Sequence, residues 1–324
     1  MQTAKKAQDQ GFATTFDTRR PVISGPEDIR ALEALGLEQA LPVATTHALL
    51  ERAARLYPEK PAVQYLRHGS VADTAVTLTF SDLLGQVNRA ANAFRKLGVE
   101  RDNAVALLMP TASETLIALF GAQAAGRVCP INYMLSPEHI AELLDHAGAT
   151  VLVTIGPDPD FPIWQKLPAI QERSRTLRHI VVVDAPQGED CLRFEDLLNA
   201  EAETLAFPLD LTRDSIAACY HTGGTTGLPK LVRHSHGNEV HVSWFAGMAY
   251  DIGHGDVVLN GFPLFHVAGA FVLAGAAIAA GAATLIPSRL GMRNKAFVQD
   301  YWQIVAKHRV TLLSGGPTFV STLM

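Results

Sequence analysis

Short apolar runs and longer amphipathic segments alternate along most of the chain. The runs TVLVT at 150–154 and HIVVVD at 179–184 are continuously apolar, which is typical of strands buried on both faces of a parallel sheet. Thr79 and Asp82 stand where a capped helix would begin, and the apolar positions that follow keep a helical period. The alternation predicts an α/β fold with layered parallel or mixed sheets flanked by helices.

The other elements follow from the same two patterns, with glycine and proline as stop signals. We predict helices over 47–56, 79–97, 113–125, 136–146, 164–172, 239–249 and 294–308, and one that begins at 317. We predict further strands at 62–66, 76–80, 104–109, 127–132, 214–219, 257–260 and 310–314. Residues 1–45 are polar and poor in aromatic side chains, so we expect an irregular arm on the domain surface.

The segment 267–288 carries no charged residue and is about as long as a membrane span. It is rich in alanine and glycine, however, and Gly281 separates its first part from the run AATLIP. We therefore predict a buried helix followed by a buried strand, and no integral membrane segment.

The stretch from Tyr220 to Lys230 reads YHTGGTTGLPK and lies between two extended apolar segments. Its glycines and its proline exclude helix and strand, so it forms a loop. Glycine lets a backbone approach a ligand closely, while hydroxyl, amide N–H and ammonium groups attract an anion. These features come from Gly223, Gly224, Gly227, Thr222, Thr225, Thr226 and Lys230. The loop is therefore predicted to hold phosphate, with Tyr220 and His221 either near a nucleotide or at the base of the loop.

Two other interpretations of this loop are a P-loop and an ordinary surface hairpin. The spacing differs from that of the P-loop, because Leu228 and Pro229 precede the lysine and Leu231 follows it. An ordinary surface hairpin is compatible with glycine, threonine and proline, but it leaves the dense hydroxyl set and the lysine unexplained. An unrelated α/β nucleotide-binding enzyme, such as a kinase, is the weaker hypothesis.

The segment TGGTTGLPK, at 222–230, resembles the phosphate-loop motif of the acyl-adenylate-forming (AMP-binding) superfamily. This superfamily includes acyl-CoA synthetases, luciferases and the adenylation domains of peptide synthetases. The chain departs from the motif at two positions, since serine is common where Gly223 stands and glycine usually takes the place of Leu231. The first departure is mild, and the second would stiffen the end of the loop.

A second motif resembles the acyl-CoA synthetases within that superfamily. PLFHVAG, at 263–269, is similar to a segment whose histidine lies beside the acyl and pantetheine passages. We therefore expect Phe265, His266 and Gly269 to bind substrate, because an aromatic ring and an imidazole at the start of a small-residue helix can line an apolar slot. The alternative for His266 is a buried histidine that bonds to a backbone carbonyl.

The resemblance implies ATP-dependent activation of a carboxylic acid to an acyl-adenylate, followed by transfer of the acyl group to coenzyme A. The implied cofactors are ATP, Mg²⁺ and, as co-substrate, coenzyme A. Lys230 and Thr226 are the implied catalytic residues. The implied cofactor-binding residues are Thr222, Gly223, Gly224, Thr225, Thr226, Gly227 and Lys230. The acid is not specified, although the alanine- and glycine-rich helix after His266 leaves room for a long group such as that of a fatty acid.

The last residues, VTLLSGGPTFVSTLM at 310–324, are similar to the segment that precedes the second half of the large N-terminal domain in acyl-CoA synthetases. The resemblance implies an arm at 1–45 and a truncated N-terminal part of an AMP-binding domain at 46–324, with the C-terminal domain absent. The family's adenine, ribose and C-terminal lysine motifs would lie beyond residue 324. A truncated, non-catalytic relative that binds a ligand or a partner is therefore the alternative function.

Composition and charge argue against several other classes of protein. The 27 basic and 32 acidic residues give a formal net charge of -5, which provides no basic surface for nucleic acid. The 3 cysteines show no paired spacing, which argues against disulfides and fits a reducing cytoplasm. His234 and His236 would share one face of a strand, and His241 would follow a short turn. No Asp, Glu or Cys completes a recognisable ligand spacing, so we expect no metal site there.

Overall fold

Two β-sheets and the helices packed around them make up the part of the chain that the computed structural model describes, residues 23–222 and 230–324. The strands are β1 (Pro61–Tyr65), β2 (Val76–Thr79), β3 (Ala104–Leu108), β4 (Arg127–Pro130), β5 (Ala149–Ile155), β6 (His179–Val183), β7 (Leu192–Arg193), β8 (Ile216–His221), β9 (Leu231–Ser235), β10 (Val257–Leu259) and β11 (Ala283–Ile286). The α-helices are α1 (Pro26–Leu35), α2 (Leu37–Ala40), α3 (Thr46–Leu56), α4 (Phe80–Lys96), α5 (Ser113–Ala125), α6 (Pro137–Ala147), α7 (Leu167–Arg173), α8 (Phe194–Asn199), α9 (His236–Ala249), α10 (Ala276–Ala280), α11 (Lys295–Lys307) and α12 (Pro317–Leu323). Short 3-10 helices cover Trp164–Lys166 and Gly291–Arg293, and a π-helix covers Ala268–Gly275.

The larger sheet has the strand order β7-β6-β5-β3-β4-β8-β9. Neighbouring strands in it are parallel except for β9, which runs antiparallel to β8. Every residue of β3 and β5 is buried, as expected for the central strands of a parallel sheet that is covered on both faces. The two apolar runs in the sequence are the neighbours β5 and β6, so the prediction of a parallel pair is confirmed.

The smaller sheet has the strand order β10-β11-β1-β2. In it, β1 and β10 run parallel to β11, and β2 runs antiparallel to β1. The predicted strand at 310–314 is wrong, because Leu312 makes only an isolated bridge to Val258 of β10. The neighbouring Leu313 is 47% exposed, so the apolar pattern of this segment is not used to build a ladder among the described residues. The mixed, layered α/β architecture itself is confirmed.

Helix starts follow the capping signals in the sequence. Thr79 and Asp82 each accept a hydrogen bond from the other's backbone N–H, and this predicted capping box opens α4. Helix α9 begins at His236 rather than at the predicted residue 239. The reason is a second capping box, in which Ser235 and Asn238 bond to each other in the same way.

The prediction of an irregular segment is wrong for residues 26–40, where the structure has α1 and α2. Pro26 is the first residue of α1, a position at which proline's missing N–H costs no helical hydrogen bond. One face of α1 is buried and packs against α9. The contacting residues are Ala31, Leu32 and Leu35 of α1 and Phe245 and Met248 of α9. Residues 1–22 lie outside the described part, so an arm over 1–45 stays a prediction.

The uncharged segment 267–288 divides into a helical part and the buried strand β11, as the sequence predicts. Gly281 lies between them with a φ angle of 69°, in the left-handed region that favours glycine. The helical part differs in kind from the prediction, because it starts as a π-helix and only then continues into α10. None of the helices in the described ranges combines the length and the apolar character that a membrane span requires.

The two sheets share a core and approach each other at the carboxyl ends of three strands. A single buried apolar cluster contains side chains from β1 and β11 as well as from β3 and β5. Arg289 follows β11, and its guanidinium forms ion pairs with Asp158 and Asp184, which follow β5 and β6. The carboxyl ends of these three strands therefore lie close together.

Candidate active site

The hairpin of β8 and β9 carries the loop that the sequence singles out. The strands pair antiparallel as far as His221, which lies opposite Leu231. Beyond this pair, the N–H of Thr222 donates to the carbonyl oxygen of Lys230 at 3.0 Å, and both residues are exposed. Residues 223–229 lie outside the described part of the chain. The roles assigned to Gly223, Gly224, Thr225, Thr226 and Gly227 therefore stay predictions.

The carboxyl end of β4 lies beside that of β8, because the two strands are parallel neighbours. Asn132 follows β4, and its backbone N–H donates to Nε2 of His221 at 3.1 Å. This bond requires an unprotonated Nε2, so the ring carries its proton on Nδ1. Burial, and then the charge of His266, lower the pKa of His221. The neutral imidazole is therefore the expected state at neutral pH.

His266, from the second motif, lies close enough to His221 to influence its titration, and its side chain is exposed. Its Nδ1 accepts a hydrogen bond from the N–H of Ala268 at 3.1 Å. The alternative of a buried histidine bonded to a backbone carbonyl does not hold, because the ring is exposed and Nδ1 is an acceptor. The remaining nitrogen, Nε2, is the one that can donate.

Aromatic rings form a wall next to His266. The Tyr133 ring packs edge-on against Phe265, with centroids 5.5 Å apart, and against Phe161, with centroids 5.2 Å apart. Tyr133 is buried and Phe265 is half-buried. The guanidinium of Arg293 lies 6.0 Å from the Tyr133 ring centroid and donates from Nη2 to the phenol oxygen. The wall thus combines apolar rings with a cation at its margin, as ligand pockets commonly do.

The π-helix starts two residues after His266 and brings backbones into close contact. The carbonyl oxygen of Gly269 accepts a hydrogen bond from Nδ2 of Asn260, which follows β10, at 2.8 Å. A Cβ atom on Gly269 would lie 2.6 Å from the carbonyl oxygen of Pro263. Only glycine fits at position 269 without moving this backbone, so packing alone accounts for the residue. The contact of Gly269 with substrate stays a prediction. Single π-helical turns are frequent at functional sites.

Tyr220 fills the base of the hairpin. It is buried, and its ring centroid lies 5.2 Å from that of His234 and 6.2 Å from that of Phe271. Of the two positions that the sequence left open for this tyrosine, the structure therefore gives the base of the loop.

The three clustered histidines are separated by the fold. His234 lies on β9, whereas His236 is the first residue of α9, so the interpretation that they share one face of a strand is wrong. His241 packs against Phe245 on the same helix, with centroids 4.6 Å apart. Within residues 23–222 and 230–324, no group of three or more His, Cys, Asp or Glu side chains is placed to hold a metal ion.

The sequence alone did not identify Asn132, Tyr133 and Arg293 as site residues. Asn132 ends the predicted strand at 127–132 and Tyr133 follows it, and ligands bind outside the carboxyl ends of parallel strands in α/β proteins, so this position was an available signal. That β4 lies next to β8 depends on strand order, however, which the local pattern does not contain. Arg293 ends a 3-10 helix in the segment after β11, and no motif marks it.

The described groups around the hairpin suit a phosphate-bearing ligand. The ammonium of Lys230, the hydroxyl of Thr222 and the N–H groups of two imidazoles are cations or hydrogen-bond donors, which bind anions. Fold and candidate site together define a class, an α/β protein with a candidate anion-binding hairpin at the carboxyl ends of parallel strands. Residues 50–324 match the AMP-binding enzyme family, and the chain belongs to that family.

Two curated relatives are CoA ligases. The marinolic acid–CoA ligase of Pseudoalteromonas sp. (strain SANK 73390) is 32% identical over 303 residues, which cover 92% of this chain and 46% of the relative. The crotonobetaine/carnitine–CoA ligase of Escherichia coli O157:H7 is 30% identical over 274 residues, which cover 84% of this chain and 50% of the relative. The chain thus spans about half the length of the curated relatives it matches.

Solved structures of CoA ligases have a similar fold. The inhibitor-bound N-terminal domain of FACL13 from Mycobacterium tuberculosis superposes with a TM-score of 0.72 at 22% identity, covering 87% of this chain and 65% of that one. A long-chain-fatty-acid–CoA ligase (FadD1) from Archaeoglobus fulgidus superposes with a TM-score of 0.74 at 19% identity, covering 87% of this chain and 54% of that one. At these identities the likeness concerns the fold.

Proposed function

We propose that the chain carries the phosphate-binding and acyl-binding parts of an acyl-CoA synthetase. The reaction is ATP-dependent activation of a carboxylic acid to acyl-AMP, followed by thioester formation with coenzyme A. The observation that carries the proposal is the position of Thr222 and Lys230, which close the β8–β9 hairpin beside His221 and His266. Membership of the AMP-binding enzyme family and the CoA ligases among the relatives support the same reaction class.

In the first step, a carboxylate oxygen of the acid attacks the α-phosphorus of ATP, and the bond from that phosphorus to pyrophosphate breaks. Negative charge then grows on the leaving β- and γ-phosphates. Lys230 and Thr222 would hold these phosphates, together with the hydroxyls and amides of residues 223–227. Mg²⁺ would supply Lewis-acid stabilisation of the phosphate oxygens.

In the second step, the sulfur of coenzyme A attacks the acyl carbonyl carbon, and AMP leaves with the bonding electrons. Phe265 and Tyr133 would contact the acyl group, because they form the apolar wall beside the second motif. The Nε2–H of His266 would donate to an oxygen of the substrate at the margin of that wall. The two relatives are named for different acids, marinolic acid and crotonobetaine or carnitine, so the acid is best sought in a broad panel, with fatty acids among the candidates.

Mass spectrometry of the products tests the proposal. The chain is incubated with ATP, Mg²⁺, coenzyme A and a panel of short, long and aromatic acids. We expect acyl-AMP and acyl-CoA from at least one class of acid, and a loss of acyl-AMP of about 100-fold in Lys230→Ala, since one transition-state donor contributes about that factor. The matched control is Lys96→Ala, because the Lys96 side chain is 66% exposed and its ion pair is with Glu201, in the segment after α8, and not with the hairpin. Equal yields from both variants would contradict the assigned role of Lys230.

A second candidate function is a non-catalytic module that binds a ligand or a partner. It concerns the residues of this chain, which correspond to 46% of one relative and 50% of the other. It predicts that calorimetry detects binding of ATP or of an acid to a folded chain that forms no acyl-AMP. Transfer of phosphate from ATP to an acceptor without release of AMP would contradict both candidates and point to a kinase.

A further inference from the structure

A carboxyl group is buried behind the hairpin that carries the candidate phosphate loop. Glu239 lies in the first turn of α9, and its side chain is 1% exposed. Its Oε2 accepts a hydrogen bond from Nε2 of Gln123 at 2.5 Å, and its Oε1 lies 3.7 Å from Nδ1 of His234 on β9. A carboxyl group in such a position is stable only when it is protonated or paired with a cation.

His234 connects this carboxyl group to the hairpin. Its side chain is 25% exposed and therefore reaches solvent. Its ring packs on Tyr220 of β8, so the histidine contacts both strands of the hairpin. The same two strands end at Thr222 and Lys230, whose backbone hydrogen bond closes the hairpin. A change at the Glu239 carboxyl group can therefore reach the ends of the loop through one side chain.

Four other titratable groups near Glu239 stay uncharged near neutral pH, namely Cys219 and Tyr220 of β8, Cys129 of β4 and His236 of α9. The nearby cations are Arg127 and Arg233, which lie close to Cys219. Burial raises the pKa of both thiols and of the phenol, and burial lowers the pKa of the His236 imidazole to about 4. Burial raises the pKa of Glu239 to about 7, against the opposing effects of His234 and Gln123.

We infer that Glu239 and His234 share one proton and act as a positioning pair, which holds β9 against α9 and keeps the loop ends Thr222 and Lys230 in place. With the proton present, Oε1 and the imidazole attract each other across 3.7 Å. When the proton is lost to solvent at higher pH, a buried carboxylate faces a neutral ring and the attraction weakens. The inference rests on the proposed function only in assuming that the loop binds phosphate. The geometry of the pair itself involves described residues alone.

Hydrogen exchange of the Thr222 amide tests the inference, because this N–H closes the hairpin and its exchange requires no ATP. After correction for intrinsic exchange, we expect its protection in the wild-type chain to fall about tenfold between about pH 6 and about pH 8, the equivalent of one charge-assisted hydrogen bond. Glu239→Gln carries an amide that does not titrate, so its Thr222 protection should be independent of pH over this range.

A second variant keeps the test decisive if Glu239→Gln does not fold. His234→Phe retains a ring against Tyr220 but removes both nitrogens, at a position that is partly exposed. We expect its Thr222 protection to be about tenfold lower at about pH 6 and independent of pH, since the pair is broken in either protonation state. The matched control is Ser243→Ala, because Ser243 is buried on the same helix but lies against Gly275.

The inference is wrong if both variants keep the wild-type pH profile of Thr222. It is also wrong if they accelerate exchange equally in β3 and β5, because that result indicates a general loss of packing. A chain that shows the expected exchange profile but forms no acyl-AMP would support the positioning pair and contradict the proposed function. A chain that forms acyl-AMP but lacks the expected exchange profile would contradict the positioning pair alone.

Discussion

His221 and His266 carry their protons on different ring nitrogens. Nε2 of His221 accepts from the N–H of Asn132, whereas Nδ1 of His266 accepts from the N–H of Ala268. Each neutral ring therefore offers its other nitrogen as a donor. Because backbone amides set both tautomers, changes of neighbouring side chains should leave the two donors in place.

At the same scale, His236 is predicted to make the chain sensitive to acid. Its Nδ1 lies 3.0 Å from Oγ1 of Thr46, and burial lowers its pKa from the usual 6.5 to about 4. A base with a lowered pKa resists protonation in the folded chain, so its stabilising contribution is present above pH 6.5 and is lost as the pH falls towards 4. The full contribution is about 3 kcal/mol, since one pKa unit corresponds to about 1.4 kcal/mol.

Urea unfolding at several pH values measures this effect. His236→Gln cannot be protonated, so the free energy of unfolding should fall less between about pH 6.5 and about pH 4 in this variant than in the wild type. The exposed His146→Gln serves as the control and should follow the wild type. Glu239 has the opposite sign, because its raised pKa removes stability as the pH rises to about 7, and the comparison of variants cancels it. An identical acid loss in His236→Gln and the wild type would refute the prediction.

The candidate site could be predicted where its residues are contiguous in the sequence. Thr222, Lys230, Phe265 and His266 belong to two short motifs, and each motif could be recognised from its own residues. Tyr133 could not be assigned to the site, because it reaches Phe265 only through the order of the strands and the path of the chain after β4. Long-range order of this kind is a property of the packed sheet and leaves no local pattern.

At the scale of elements, capping chemistry and periodicity located most helices and most strands of the large sheet, but not β7. They failed at 310–314, because this segment meets β10 through one isolated bridge and forms no ladder. They also failed at α1, whose apolar face is narrow and is defined by its contact with α9. The π-helix could not be told from an α-helix, because a segment that is apolar on every side has no periodic signal.

Gly269→Ala is predicted to destabilise the π-helix. The added Cβ would lie 2.6 Å from the carbonyl oxygen of Pro263 and 2.9 Å from that of Phe262, so backbone must move. We expect the free energy of unfolding to fall by about 1–3 kcal/mol, as for other overpacked sites. The control is Gly255→Ala, where an added Cβ meets nothing within 4 Å, and a neutral or slightly stabilising effect is expected. Equal stability of the two variants in urea unfolding would argue against the close contact.

At the scale of the whole molecule, the two sheets are joined by a continuous core and by the ion pairs of Arg289. The Arg289 side chain is 13% exposed and bridges from the end of β11 to Asp158 and Asp184 on the larger sheet. The second motif follows β10, a strand of the smaller sheet, whereas the phosphate loop follows β8 of the larger sheet. The relative position of the two sheets therefore sets the geometry of the candidate site.

Arg289→Met is predicted to weaken the connection between the sheets. It leaves the Asp158 carboxylate, which is 15% exposed, without its cation. We expect the free energy of unfolding to fall by about 2 kcal/mol, somewhat less than for a fully buried pair. Arg67→Met is the matched control, because Arg67 also pairs with Asp184 but is 48% exposed, so its loss should cost less than about 1 kcal/mol. Equal losses in the two variants would show that the position of Arg289 between the sheets has no special role.

The most direct test of carboxylate activation is the exchange of labelled pyrophosphate into ATP in the presence of Mg²⁺ and a panel of acids. Exchange reports the reversal of adenylation and requires no coenzyme A. We predict exchange that depends on the acid and is lost in Lys230→Ala but kept in Lys96→Ala. A folded chain that binds ATP but shows no exchange with any acid would contradict the claim that this chain activates carboxylic acids.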